Sequence, residues 1–248
     1  MEKYFWMLST FTVPVLFLII TIGFYLTFYF RKNNLHQKNK IQSDQVSASQ
    51  FRRELIYSFI SLVIFAISGY GLFVLFERGN TLIYMKLSML DVLYLPVSIL
   101  LMMLFHDMYF YWTHRLLHQP GWYQKIHTVH HLSSNPSPFT SLSFHPVEAV
   151  IQAAVLPIMF MIIPAHPLAM FSFLIYMVYK NVHGHAGYEF TTQVHREKVL
   201  NRPLNYSIYH NWHHLKSRDN YGLYFTLWDR LMKTFKEDIN RFNTPHHH

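Results

Sequence analysis

The stretch "HRLLHQPGWYQKIHTVHH", residues 114–131, holds five histidines, beginning with His114 and His118 four positions apart. The others follow one another at spacings i, i+3 and i+4: His127, His130 and His131. The same spacing recurs in "HNWHH" with His210, His213 and His214. On an α-helix these separations place side chains on one face, one turn apart. The pattern therefore predicts helices on which each group of imidazoles converges on one point.

Outward from this stretch, three long apolar segments precede the histidines, at residues 10–30, 55–76 and 92–105. The first carries no charged residue over its whole length, and about 20 apolar residues are enough to cross a bilayer as a helix. It is also long for a signal peptide and lacks a small-residue cleavage site. Only 14% of all residues are charged, against about 25% in soluble domains. The sequence therefore predicts an all-α integral membrane protein.

Two shorter apolar segments, residues 147–163 and 167–182, follow the first histidines and are joined by "IPAHP". Each is short for a full crossing, so they predict either a shallow hairpin or two tilted spans. We therefore expect four to five membrane-embedded helices and a histidine-rich helical cap. The expected division is an N-terminal part (1–90) of membrane spans and a basic loop, a catalytic domain (91–238), and a disordered tail or tag remnant (239–248).

Charge predicts the orientation of these segments. The loop after the first segment is basic and should be cytoplasmic, with Arg31, Lys32, Lys38, Lys40, Arg52 and Arg53. Counting crossings from this loop brings every histidine cluster to the cytoplasmic side. The net charge is +8, but the basic residues lie beside apolar runs and form no stripe with aromatic residues. Lipid headgroups explain them better than nucleic acid does.

Clustered imidazoles near an apolar surface indicate metal binding, because each unpaired buried ring is costly to desolvate. The chain has no cysteine, which excludes thiolate sites. A metal site uses three or four protein ligands in the zinc case, so eight histidines in three clusters favour two ions. Imidazole suits iron, zinc, copper and nickel. We expect redox-active iron, and zinc could occupy the same cage.

Carboxylates near the clusters could orient the ligands. A ligating histidine commonly donates its second N–H group to a carboxylate or a carbonyl. Asp107 and Asp229 are the candidates for this role. An ion pair between Asp107 and Arg115 explains the first of them equally well.

The three histidine motifs, H-x-x-x-H at 114–118 and H-x-x-H-H at 127–131 and 210–214, resemble those of the fatty acid hydroxylase / sterol desaturase superfamily of membrane di-iron oxidoreductases. Further segments are similar to the sterol C5-desaturase-like branch: "PSPFTSLSFHPVEA", "HAGYEF" and "NYGLYFTLWDRLMKTF". The resemblance covers roughly residues 92–236 and holds in order as well as in content.

Matched residue by residue, the resemblance implies nine iron ligands: His114, His118, His127, His130, His131, His185, His210, His213 and His214. His183 competes with His185, and His106 is a further candidate. His145, in "FHP", matches a recurring family position, where it would bind the metal, form a hydrogen bond with a metal ligand, or contact the substrate.

The resemblance also implies an enzyme that activates dioxygen and oxidises a membrane lipid, such as a sterol-like molecule or a fatty acyl chain. Electrons would come from an external ferredoxin or cytochrome with its reductase, since the chain carries no haem, flavin or iron–sulfur motif. Hydroxylation is preferred over desaturation because the superfamily performs it more widely. An ether-lipid-cleaving monooxygenase and a non-enzymatic metal-binding membrane protein are the alternatives. A zinc hydrolase is disfavoured, because no H-E-x-x-H motif is present.

Overall fold

The computed structural model describes residues 4–30, 38–42, 45–198 and 201–236. Across these residues the regular elements are helices, with only isolated β-bridges besides. The α-helices are α1 (Phe5–Phe24), α2 (Ala48–Glu77), α3 (Met89–Leu117), α4 (Pro120–Trp122), α5 (Thr128–His131), α6 (Pro146–Ala153), α7 (Val155–Phe160), α8 (Pro167–His185), α9 (Gln193–Glu197), α10 (Ser207–Lys216) and α11 (Leu227–Leu231). π-Helical turns follow α1 and precede α5, and a 3-10 turn covers Pro138–Leu142. The tail predicted at 239–248 and the basic residues Arg31 and Lys32 lie outside the described residues.

Three helices of the described chain are long and apolar enough to cross a membrane: Phe5–Phe30, Ala48–Glu77 and Met89–Leu117. They contain the three long segments predicted from the sequence and confirm them as helices. A 29-residue helix such as α3 is about 44 Å long, whereas the hydrocarbon layer is about 30 Å thick. The helix can therefore carry the histidines at its C-terminal end beyond the apolar layer.

The pair of shorter apolar segments, expected as a shallow hairpin or as two tilted spans, is helical. Its first arm is bent into α6 and α7, which together form a shorter apolar helix over Pro146–Phe160. Its second arm, α8, begins with Pro167 at the first helical position, and the His166 side chain accepts a hydrogen bond from the backbone N–H of Leu168. Histidine and proline therefore set the start of this helix, as capping residues do.

The apolar core lies between the long helices and the hairpin, and it includes Phe17, Phe65, Met102 and Phe173. Helices α1 and α2 approach closely at Gly69, where a Cβ atom would lie 2.1 Å from the carbonyl oxygen of Ser9. Only glycine fits this crossing. The outer faces of the long helices expose large apolar side chains, which suits contact with lipid rather than water.

A buried carboxylate attaches the long helices to the histidine-bearing cap. Glu54 of α2 is fully buried, and its oxygens accept hydrogen bonds from Gln50, Ser137 and Thr140. These donors compensate for the desolvation of the carboxylate. The contact holds the 3-10 turn, and with it the loop that follows His131, against α2.

Candidate metal centre

The nine histidines that the resemblance assigns as ligands lie together in two groups. The first group is His114, His118, His127, His131 and His213, and the second is His130, His185, His210 and His214. Within each group, one ring nitrogen from every residue lies within 4.8 Å of the others. The end of α3, the turn into α5, the end of α8 and α10 supply these residues. Eight of them are buried, and His118 is partly exposed.

The rings of the first group face one another through their Nε2 atoms. The Nε2 atom of His213 lies 3.1 Å from that of His118 and 3.1 Å from that of His131. The Nε2 atoms of His114 and His127 are also 3.1 Å apart. Five nitrogen atoms from separate parts of the chain therefore converge on one small space.

The second group has the same arrangement around His185. Its Nε2 atom lies 3.3 Å from Nε2 of His130 and 2.9 Å from Nε2 of His210. The ring of His214 packs against both of these neighbours, with centroid separations of 4.6 and 5.0 Å. The two groups are adjacent, because His130 and His131 are consecutive residues that belong to different groups.

Backbone carbonyl groups fix the outer nitrogen of three of these rings. The Nδ1–H group of His114 donates to the carbonyl of Tyr221 at 2.9 Å, and that of His213 donates to Asp219 at 2.6 Å. His185 donates in the same way to Asn181, at 2.7 Å. Because a carbonyl can only accept, the proton is on Nδ1, and the neutral ring presents its Nε2 lone pair to the interior. This tautomer is the one that metal ligation requires.

Burial keeps the histidines of both groups in the neutral form. It lowers the pKa well below the ordinary histidine value for His127, His130, His131, His210, His213 and His214. Neutral imidazole is the form that coordinates metals.

Several nitrogens in the second group have no partner among the described residues. They are Nδ1 of His130, Nδ1 of His210 and both ring nitrogens of His214. An unpaired buried polar atom costs about 1–3 kcal/mol, and a cation between the rings would remove part of that cost. Neutral nitrogen donors without thiolate fit iron, and they fit zinc as well.

Glu148 of α6 contacts the first group and was missed by the sequence analysis. Its Oε1 atom lies 2.8 Å from Nδ1 of His127, and each side chain is 1% exposed. Burial raises the pKa of Glu148 well above the usual carboxyl value. A signal was present in "FHPVEA", since Pro146 predicts a helix start and so places Glu148 in the first turn.

Asp107 and Asp229, the carboxylates named from the sequence, bind backbone instead of histidine. Asp107 accepts from the N–H groups of Tyr224 at 2.8 Å and of Phe225 at 3.2 Å. Asp229 accepts from the N–H groups of Tyr221 and Gly222, at 2.9 and 2.8 Å. The alternative ion pair of Asp107 with Arg115 does not occur among the described residues either.

These two carboxylates nevertheless influence the first group, through residues 219–225. This segment supplies the carbonyl groups of Asp219 and Tyr221 that hold His213 and His114. Asp229 binds the N–H groups of Tyr221 and Gly222 and so fixes the direction of the Tyr221 carbonyl. Asp229 therefore orients His114 indirectly, through this backbone segment.

The remaining candidate histidines lie outside both groups. His183 packs against Phe24 and Tyr179. His145 is the N-cap of α6, and its Nδ1 atom accepts from the N–H group of Val147 at 3.2 Å. His106 is buried on α3 and faces a cavity.

We predict that Gly222→Ala disturbs the first group. A Cβ atom at this position would lie 2.4 Å from the carbonyl oxygen of Phe225 and 3.0 Å from Oδ2 of Asp229. Accommodating this Cβ atom should lower the free energy of unfolding by about 1–3 kcal/mol. It should also weaken metal binding, because the Tyr221 carbonyl would be displaced. Thermal unfolding and metal content measure both effects. Gly121→Ala is the control, since nothing lies within 4 Å of its Cβ position, and equal behaviour of the two variants would contradict the prediction.

An apolar cavity of about 40 Å³ adjoins both groups. Its wall includes Phe110, whose ring centroid is 5.1 Å from that of His114, and Phe144, at 5.1 Å from His130. Leu156 separates this cavity from an apolar groove of about 240 Å³ between α1, α7 and α8, and lines both of them. The groove has exposed apolar side chains at its rim, so its opening suits hydrocarbon from outside the helices.

Comparison of the sequence with known proteins identifies the family of this chain. The fatty acid hydroxylase family model matches residues 99–234, which lie within the predicted catalytic domain and include all nine histidines. The chain belongs to the fatty acid hydroxylase family. Members of this family are iron-dependent oxidoreductases that modify lipids.

Relatives place the chain in the sterol desaturase branch of the fatty acid hydroxylase family. It is 30% identical over 227 residues to lathosterol oxidase of Mus musculus and to that of Homo sapiens, with 89% of this chain and 74% of each relative covered. It is 29% identical to Delta(7)-sterol 5(6)-desaturase of Eremothecium gossypii, with 93% of this chain and 63% of the relative covered. No solved structure matches. Together with the three apolar helices, these relatives indicate a multi-pass membrane oxidoreductase.

Proposed function

We propose that this fatty acid hydroxylase family member is a di-iron enzyme that uses dioxygen to oxidise a C–H bond of a sterol-like membrane lipid. The observation that carries the proposal is the convergence of nine buried histidines into two adjacent groups beside an apolar cavity. The rival non-enzymatic metal-binding protein would not need a cavity whose walls touch both groups.

Five histidines would hold one iron and four the other. Nine nitrogen donors exceed the needs of one ion, since protein sites of this kind use about three to four histidine or carboxylate ligands. When bound, the iron pair supplies the oxidising power for an unactivated C–H bond, and the protein positions the substrate.

The protein residues exclude water and hold the hydrocarbon. Phe110 and Phe144 lie between the cavity and the histidine rings, so an apolar substrate there would be separated from the two groups by these aromatic rings. The groove behind Leu156 would admit the substrate from the bilayer, because both spaces are apolar and share that side chain.

Electrons would reach the irons from a separate ferredoxin or cytochrome with its reductase. His118 is the partly exposed member of the first group, which makes its side of the cap the nearest approach for such a partner. We propose that this cap faces the cytoplasm, in agreement with the basic loop between α1 and α2.

The names of the relatives favour desaturation over hydroxylation for this chain. The test is a reaction of the purified, iron-loaded protein with lathosterol, a reductase system and ¹⁸O-labelled dioxygen, analysed by mass spectrometry. A product that has lost two hydrogens and carries no label would support desaturation, and a labelled product would support hydroxylation.

Two further outcomes would overturn the proposal. Cleavage of an ether lipid without any change in sterols would favour the ether-lipid monooxygenase. If the protein retains iron but consumes no dioxygen in the presence of any lipid tested, the non-enzymatic metal-binding protein is favoured.

A further inference from the structure

Tyr111 of α3 belongs to a chain of hydrogen bonds that ends on a buried carboxylate. Its side chain is fully buried. The guanidinium of Arg115 donates to its hydroxyl oxygen at 3.3 Å, and this oxygen lies 3.0 Å from Oγ1 of Thr234. Oγ1 of Thr234 lies 2.7 Å from Oδ1 of Asp229. Arginine can only donate and a carboxylate can only accept. The chain therefore has one direction, in which Tyr111 donates to Thr234 and Thr234 donates to Asp229.

The same tyrosine is connected to the first histidine group through one aromatic ring. The ring centroid of Tyr221 lies 6.2 Å from that of Tyr111. It also lies 5.6, 5.0 and 5.3 Å from those of His114, His118 and His213. Aromatic rings at these separations are in edge contact. An electron can therefore pass from Tyr111 to the first group by two short steps.

Two indole rings continue this row to the outside of the protein. The ring centroids of Trp112 and Trp228 lie 5.4 and 6.1 Å from that of Tyr111. Trp112 is 43% exposed. Phenol and indole rings are among the side chains that lose an electron most readily. A row of oxidisable rings thus runs from the metal-binding histidines to the surface.

Reduction of dioxygen at this site endangers the protein when no lipid is bound. Reducing dioxygen to water takes twice as many electrons as the external donor supplies, and in the proposed reaction the lipid supplies the rest. Without a lipid the remaining oxidising power falls on the nearest side chains, which are the ligand histidines themselves. A site of this kind has to exclude such competing reactions.

We propose that Tyr111 is a redox-active tyrosine that supplies the missing electrons when dioxygen is reduced without a lipid. It gives one electron to the first group through the Tyr221 ring. Its hydroxyl proton moves to Thr234 as the Thr234 proton moves to Asp229, which leaves a neutral tyrosyl radical. A thiol in the medium then returns one electron through Trp112, and Asp229 returns the proton. Two such rounds convert two thiols into one disulfide, and the protons that the thiols release balance those that the dioxygen takes up. The inference rests on the proposed function.

The experiment mixes reduced, iron-loaded protein with dioxygen in the absence of lipid, freezes it rapidly and records the EPR spectrum. Wild type should show a tyrosyl radical whose hyperfine lines narrow in protein made with ring-deuterated tyrosine. Tyr111→Phe should lose this signal. Thr234→Val should reduce it several-fold, because the ring remains while the route for its proton is removed.

Tyr123→Phe is the matched control and should keep the radical. The Tyr123 ring is nearer to the ligands, with its centroid 5.3 Å from that of His118. Its hydroxyl, however, donates to Ser217, whose hydroxyl contacts Nδ1 of His131 rather than a carboxylate.

Two further measurements do not depend on lipid turnover. After repeated exposure to dioxygen without lipid, peptide mass spectrometry should find several-fold more oxidised ligand histidine in Tyr111→Phe than in wild type. Glutathione should shorten the lifetime of the radical, and Trp112→Phe should lose most of this effect. Trp122→Phe is the control, since Trp122 is 41% exposed and does not belong to the row of rings. Iron content and melting temperature identify a variant that fails to fold.

The outcomes separate this inference from the proposed function. A radical that persists in Tyr111→Phe, or protein that oxidises lipid and forms no radical, overturns the inference while the oxidation reaction stands. An undiminished radical in Thr234→Val overturns the route for the proton, and an undiminished effect of glutathione in Trp112→Phe overturns the return of the electron.

Hydrogen peroxide added to the oxidised, iron-loaded protein supplies oxidising power without any electron donor. If it produces the Tyr111 radical in protein that oxidises no lipid, the inference is supported and the proposed function fails. If neither dioxygen nor hydrogen peroxide produces the radical, the inference is overturned.

Discussion

Replacing His213 with alanine is expected to reduce bound iron from about two ions per chain to about one. His213 is central to the first group, because its Nε2 atom lies 3.1 Å from those of both His118 and His131. His210→Ala should empty the second group in the same way, since Nε2 of His210 is 2.9 Å from that of His185. The double variant should bind no iron. Metal content by mass spectrometry, on protein purified in detergent, measures all three.

The chain offers a close control for this experiment. His183 precedes His185 by two residues on α8, is also partly buried, and lies in neither group. His183→Ala should therefore keep both irons, whereas lipid oxidation should fall to background in each ligand variant. Full iron content in His213→Ala, or loss of iron in His183→Ala, would show that the metal is held elsewhere.

The spacing of histidines within each motif predicted most of what the sequence could reveal about the site. The i, i+3 and i+4 separations put His127, His130 and His131 on neighbouring positions whatever the rest of the chain does. Those separations do not reveal that His130 and His131 belong to different groups. That division depends on the tertiary packing, because α8 contributes His185 to the second group while α10 contributes to both groups.

The carboxylates show where local reasoning fails. Asp107 and Asp229 lie near histidine motifs in the sequence, yet Asp107 contacts the N–H group of Tyr224, more than a hundred residues away. Glu148 follows the second motif by 17 residues and still reaches His127, because α6 packs against the π-helical turn that contains His127. Chain distance does not predict which acid meets which imidazole when the connection contains a turn.

Glu148→Ala is expected to weaken metal binding at the first group by about 10–100-fold. The Nδ1–H group of His127 would lose its acceptor inside a buried site, and the ring would no longer be held with Nε2 towards the other four histidines. Glu148→Gln should have a smaller effect, because its amide oxygen can still accept this hydrogen bond. Competition with a chelator of known affinity measures the difference.

Gln152→Ala is the matched control for Glu148→Ala. Gln152 lies one turn further along α6, is 7% exposed, and lines the cavity rather than meeting an imidazole. Its loss should leave metal affinity unchanged, so a fall shared by both variants would reflect damage to α6 as a whole. A fall in Glu148→Ala alone, partly restored in Glu148→Gln, would show that a hydrogen bond outside the ligand shell sets how firmly the first metal is held. Equal metal affinity in wild type, Glu148→Ala and Glu148→Gln would instead mean that His127 is oriented by packing alone.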